Sequence, residues 1–205
     1  RERVVSGPEP VYEIHLRAGL VPQLIIIGGG PRYVFTALAT AQLSLATFDF
    51  GTLSLGDVLP GRKIVVGVTG ETTGTNFNLD SLTVGGVGAT SIVNRPHTDT
   101  LQKCRAALFR IADDTNASAN VTVTFAGSMS RCQVGVWALY DLVNAAPSVT
   151  AEDSDSDANT SNIAIDVLAT GILLTLALMF GGTDTQTLSG AGTIDASDGA
   201  VTGAR

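Results

Sequence analysis

Two neighbouring runs decide the fold, Asn120–Phe125 (NVTVTF) and Cys132–Tyr140 (CQVGVWALY). In the first, Val121, Val123 and Phe125 fall on one side and Thr122 and Thr124 on the other. That alternation is the period-2 pattern of a half-buried strand. Between the runs, Gly127-Ser128-Met129-Ser130 reads as a hairpin connection that joins the first strand to the second. Trp137, the only tryptophan, lies in the middle of the second run and is expected to anchor the core between two sheets.

The same texture extends in both directions. Upstream lie Thr47–Phe50, then Lys63–Thr69 after the turn Leu59-Pro60-Gly61, then Leu79–Val84 leading into Gly85-Gly86. Thr90–Val93 follows that turn, and Cys104–Ala112 follows a polar loop. Downstream, Ile163–Val167 alternates again. Ile172–Phe180 is apolar on both faces, as a central strand buried on both sides would be. Weaker strands are expected around Thr187 and Thr193. Glycine, 23 of 205 residues, falls mostly between the runs, where turns need it. About nine or ten short strands separated by turn residues mark an all-β chain, an antiparallel β-sandwich or jelly roll.

The first 45 residues differ. Pro8, Pro10 and Pro22 precede an apolar run and a glycine triplet, Leu24, Ile25, Ile26, Ile27, Gly28, Gly29 and Gly30. These read as an extended N-terminal arm with a flexible joint. Residues 31–45 mix helix and strand formers and are read as strand. The division expected is an arm and joining segment over 1–45 and a sandwich domain over 46–205.

Composition excludes several classes. With 15% charged and 44% hydrophobic residues the chain is too apolar for intrinsic disorder. At this length folding buries about 70% of the unfolded surface, so the core requires no metal or disulfide staple. The charge is 12 basic less 19 acidic residues, or −7, and only Lys63 and Lys103 are lysines. Without clustered basic residues, neither nucleic acid nor an anionic membrane surface is an expected partner. The most apolar stretch, Gly171–Phe180, is well short of the ~20 residues of a membrane helix. The opening RERVV has charge but no apolar run behind it, so no secretory leader is expected there. Cys104 and Cys132 are too few for a disulfide scaffold and are read as buried thiols ahead of a bonded pair.

Several stretches imitate chemical motifs. Leu24–Pro31 (LIIIGGGP) resembles the start of a dinucleotide-binding unit, and Asp49 follows at a suitable distance. However, Tyr33 occupies the third glycine position and no alternation of strands and helices follows, so no cofactor is expected. The acidic stretch 152–157 offers alternate carboxylates, Asp153, Asp155 and Asp157, as calcium candidates. An EF-hand register fails, because Ala158 stands where the loop needs glycine and Ala164 where it needs glutamate. A looser surface calcium site and a solvated acidic loop are the two remaining readings. The two histidines, His15 and His97, lack metal-ligand spacing and a nucleophile motif; both are read as surface or loop residues. Glycosylation sequons at Asn116, Asn120 and Asn159 are expected by composition in a Ser/Thr-rich chain. No catalytic residue is assigned, and the chain is read as non-enzymatic.

One resemblance rests on the order of these runs. KIVVGVTG (63–70) precedes a Thr/Gly-rich stretch, then SLTVGGVGAT (81–90), ALFRIA (107–112) and NVTVTFAGSMSRCQVGVWALYDL (120–142). An acidic Ser/Thr-rich stretch and GILLTLALMF (171–180) complete it. This pattern, over about two thirds of the chain, resembles virion-associated β-sandwich proteins of tailed bacteriophages, of the decoration or fibre type. The resemblance implies a structural protein located on the virion. Its expected partners are itself, as a homotrimer docked through the arm, other virion proteins and a host surface glycan. The alternative is a carbohydrate-binding adhesin module, for which Phe77, Trp137 and Tyr140 are the aromatic candidates.

Overall fold

The computed structural model describes residues 11–16, 23–28, 32–73, 78–98, 103–112, 115–142, 149–152, 161–166, 171–178, 194–198 and 201–204. Their regular structure is strand throughout. In chain order these are β1 (Val11–Leu16), β2 (Gln23–Gly28), β3 (Arg32–Ala41), β4 (Leu45–Ser54) and β5 (Lys63–Thr72). Then come β6 (Leu79–Val84), β7 (Val87–Gly88), β8 (Thr90–Thr98), β9 (Lys103–Ile111), β10 (Ser118–Met129) and β11 (Arg131–Tyr140). The rest are β12 (Val149–Glu152), β13 (Ser161–Asp166), β14 (Gly171–Leu178), β15 (Ile194–Asp198) and β16 (Val201–Ala204). Sixteen described strands exceed the nine or ten expected, because short strands such as β7 and β12 carry too little pattern to be read.

The centre is an antiparallel β-sandwich, as the alternation predicts. A five-stranded sheet, β3-β11-β5-β9-β8, packs against a four-stranded sheet, β4-β10-β6-β7. Inward side chains from both sheets form the main core. Phe48, Leu82, Val121, Val123 and Phe125 come from the smaller sheet; Ile64, Val66, Val68, Phe109, Val134 and Val136 come from the larger. Phe48 and Phe125 meet edge to face, with centroids 6.0 Å apart, the arrangement ring quadrupoles favour.

The sequence expectation for Gly127–Ser130 is corrected. These residues do not close a hairpin. Strand β10 runs on to Met129, which pairs with Leu45 of β4, and β11 begins at Arg131 in the other sheet. The Ser130 amide donates to the Glu71 carbonyl, so the chain arches from one sheet to the other. Strand β10 needs its apolar face turned inward, and so does β11; an arch lets the two faces oppose each other, whereas a hairpin would place them side by side.

The place of Trp137 is corrected too. In β11, Cys132, Val134 and Val136 face the sandwich core, so alternation turns Trp137 and Leu139 to the opposite face. There a second core forms. Val65, Cys104, Ala106, Leu108, Trp137 and Leu139 meet Leu174 and Leu176 of β14. Strands β5 and β11 are therefore buried on both faces over most of their length, and the two side chains described in β14, Leu174 and Leu176, are buried too. Strand β14 is the middle strand of a separate five-stranded sheet, β12-β2-β14-β16-β15, and its leucines cover the larger sandwich sheet from outside.

The N-terminal segment pairs with the C-terminal part of the chain. Strand β1 pairs with β13, with Ile14 opposite Ile163. Strand β2 lies between β12 and β14, with Ile26 opposite both Val149 and Leu173. The strand reading of residues 31–45 is met by β3, which forms one edge of the larger sandwich sheet.

Candidate functional site

Two places on the sandwich are built with more care than packing alone requires. The first is the loop between β4 and β5. Leu59-Pro60-Gly61-Arg62 is a turn closed by the Arg62 amide on the Leu59 carbonyl, with Gly61 at φ +76°. Proline followed by a left-handed glycine is the chemistry of a type II turn. The turn aims the Arg62 side chain back under the loop, where it is buried. Its Nη1 donates to the carbonyls of Leu55 (3.2 Å), Gly56 (2.8 Å) and Asp57 (3.3 Å), and its Nη2 to that of Asn116 (2.8 Å). The Tyr140 hydroxyl donates to the Asp57 carbonyl from the other side at 3.0 Å. A planar guanidinium with fixed donors suits this task of pinning several carbonyls at once. Arg32 completes the end of the sheet, 5.0 Å above the Tyr140 ring and 3.6 Å from Asp141.

The second place is the outer face of the larger sheet. Gly67 and Gly135 are register partners on β5 and β11, and the Trp137 ring lies over the hollow they leave. A Cβ at Gly67 would come within 2.9 Å of Trp137 Cζ3, and one at Gly135 within 3.0 Å of Cη2. Phe35 flanks the ring at a centroid distance of 5.3 Å, and the Leu176 methyls close over Gly67. Glycine is required at this pair so that a large ring can approach the backbone. The hollow is filled by the chain's own indole and leucines.

Polar residues run along the neighbouring strands. Arg105, itself buried, donates to the side-chain oxygens of Asn94 (2.7 Å) and Asn78 (3.1 Å). Gln133 donates to the Thr40 hydroxyl at 2.7 Å. Burial raises the Glu71 carboxyl above its usual range, while the Arg131 guanidinium opposes that shift. None of Arg62, Arg105 and Gln133 was singled out from sequence. The available signal was an isolated polar residue inside, or at the mouth of, an apolar run.

Cys104 and Cys132 are free and buried, as read from sequence. They sit on opposite faces of one sheet with β5 between their strands, a geometry that forbids a bond. Burial pushes both thiols well above the ordinary range; for Cys104 the Glu71 carboxylate adds to this and Arg105 opposes it. Such thiols are poor nucleophiles, because the thiolate is the reactive form.

His15 lies in β1 opposite Asn162 and His97 in β8 opposite Cys104, both in strands and not in loops. Leu24, Ile25, Ile26, Ile27 and Gly28 belong to β2; Gly29 and Gly30 lie outside the described residues. Phe77, Asp99, Asp153, Asp155 and Asp157 also lie outside them. Trp137 and Tyr140 are buried, which removes both from any exposed stacking surface. Among the described residues no group of His, Cys, Asp or Glu is arranged to hold a metal ion. Comparison with protein-family models, curated proteins and solved structures found no match to this chain.

Proposed function

We propose that this chain is a non-enzymatic structural protein of a tailed-phage virion, a capsid decoration protein or a component of a fibre, assembled as a homo-oligomer. The observation that carries the reading is the use to which the sandwich puts its buried polar side chains. Arg62 pins four loop carbonyls, Arg105 ties together Asn94 and Asn78, and Gln133 joins β11 to β3 at Thr40. Each is spent on holding strands and loops in place, which suits a scaffold. The order of strand runs, with its resemblance to phage sandwich proteins, supplies the class.

Assembly in many copies needs a surface that does not aggregate in bulk. The net charge of −7 provides repulsion between particles at neutral pH. In this reading a homotrimer is the assembly unit and host glycan binding is a secondary role; Leu24–Gly28, paired on both sides within the chain, leave docking to other surfaces.

Immunogold labelling of purified virions, with an antibody against residues 46–200, tests the proposal. Regular label on the head identifies a decoration protein, and label on the tail or its tip a fibre component. The absence of label from every particle overturns it.

A further inference from the structure

The edges of the sandwich are unequally protected, and one of them has the character of an interface. A strand edge presents backbone N–H and C=O groups that will pair with any strand brought to it, so stable proteins blunt their edges with charge, proline, bulges or shortness. On one side of the sandwich, β7 has only two residues, and β8 carries Arg95 followed by Pro96. On the other side, β4 has Asp49 facing solvent and a bulge where Gly51 takes φ +67°. Strand β3 has none of these over its second half. Its one bulge, at Thr36, leaves Ala37–Ala41 in regular register with Cys132–Val136.

The surface around that stretch is apolar and uncharged. From Tyr33 to Phe48 there is no charged residue. Of the seven large hydrophobic side chains exposed among the described residues, Val34, Leu38, Leu43 and Leu45 belong to β3, the connection behind it and the start of β4. Only Val87 lies on the opposite side of the sandwich; Val58 and Leu59 belong to the loop that follows β4. Exposed apolar side chains beside a strand edge that no other described strand pairs are of the kind that marks an interaction site.

We infer that the Ala37–Ala41 edge, with Leu38, Leu43 and Leu45 beside it, is a contact between two copies of this chain, paired antiparallel about a two-fold axis at Ala39. Three considerations favour a second copy as the occupant. First, the stretch is self-complementary. Ala37, Ala39 and Ala41 pack toward the sandwich core, while Leu38 and Thr40 lie on the outer face. Pairing about Ala39 sets Ala37 opposite Ala41 and Leu38 opposite Thr40, so every side chain stays on its own face. Second, the closed two-fold contact joins the five-stranded sheets of two copies and leaves neither β3 edge open. Third, two chains that each carry −7 meet here with no like charges opposed, because the charge-free run spans the whole edge. This inference concerns self-association and deepens the homo-oligomer part of the proposed function, the two-fold contact joining two of the homotrimers proposed there. It does not require a virion.

Sedimentation velocity of the full chain, with Leu38→Lys and separately Leu43→Lys, tests it. Both positions are exposed, so each variant is expected to keep the wild-type melting temperature and circular dichroism. The expected result is that the wild-type assembly has an even number of chains and that either lysine halves its mass, or weakens assembly at least tenfold. As a second readout, Leu38→Cys and Thr40→Cys chains are mixed under mild oxidation, and cross-link more in the mixture than either does alone. A wild-type monomer at high concentration, or assembled mass unchanged in both lysine variants, overturns the edge contact. Loss of virion label with the mass still halved would instead remove only the proposed function.

Discussion

The outer core makes a sharp prediction, because its cover and its reporter are both single features. Trp137 is the only tryptophan, it is 1% exposed, and the leucines of β14 lie on its face. Replacing Leu176 by alanine removes a side chain that is 2% exposed and in contact with the Gly67–Trp137 hollow. Burying one leucine is worth about 1.5–3 kcal/mol, and each 1.4 kcal/mol changes an equilibrium about tenfold. The fraction of molecules with β14 undocked therefore rises by roughly 10- to 150-fold. Leu174→Ala, at 1% exposure, acts in the same direction. The two effects will not add in full, because the leucines share one docking event. The assay is quenching of the single tryptophan by acrylamide, with its emission maximum as a second reading. Wild-type emission is expected to be blue-shifted and poorly quenched, and both variants to be red-shifted and more readily quenched. Leu82→Ala is the control. Leu82 is as deeply buried but sits in the core between the two sandwich sheets, so it lowers global stability without exposing Trp137. If Leu82→Ala exposed Trp137 as much as Leu176→Ala, or neither leucine of β14 mattered, the separation of the two cores would be refuted.

Three further outcomes are expected. Arg62→Met removes the guanidinium donor from the carbonyls of Leu55, Gly56 and Asn116, while Asp57 keeps the Tyr140 hydroxyl; at ~1–3 kcal/mol for each buried group left unpaired, partly offset by water, urea unfolding should show a loss of about 3 kcal/mol or more. The Glu71 carboxyl is held above its usual value of 4.5, so the folded chain keeps that proton to higher pH than the unfolded chain. Its contribution is then fully present below 4.5 and is lost as pH rises through the folded value, so Glu71→Gln should flatten that slope and raise the melting temperature at pH 7. A fall in melting temperature at pH 7 would mean that the attraction of Arg131 outweighs burial. Both cysteines should resist a thiol reagent in the native protein and react together on unfolding, and a mass unchanged by reductant will check that no bond joins them.

Local chemistry carried much of the fold. The alternation in Asn120–Phe125, the proline–glycine turn at 59–61 and the strand runs of the sandwich were legible, because strand period and turn conformation depend on neighbours in sequence. The class followed from them, since repeated half-buried strands must bury one face against another sheet. The free, buried state of the two cysteines was also read correctly. What sequence could not convey is which face goes where. In Cys132–Tyr140 both faces are apolar, so the period has no contrast, and Trp137 could be placed in either core until the outer layer was seen. The connection at Gly127–Ser130 looked like a hairpin because its residues suit any tight reversal; only the pairing of Met129 with Leu45 makes it an arch. The polar pins were invisible for the same reason. Arg62 reaches Asn116 from 54 positions away, and nothing near either residue records that meeting. Strand identity is written in short-range pattern, whereas strand partners, burial of a second face and long-range hydrogen bonds arise only when distant segments are packed together.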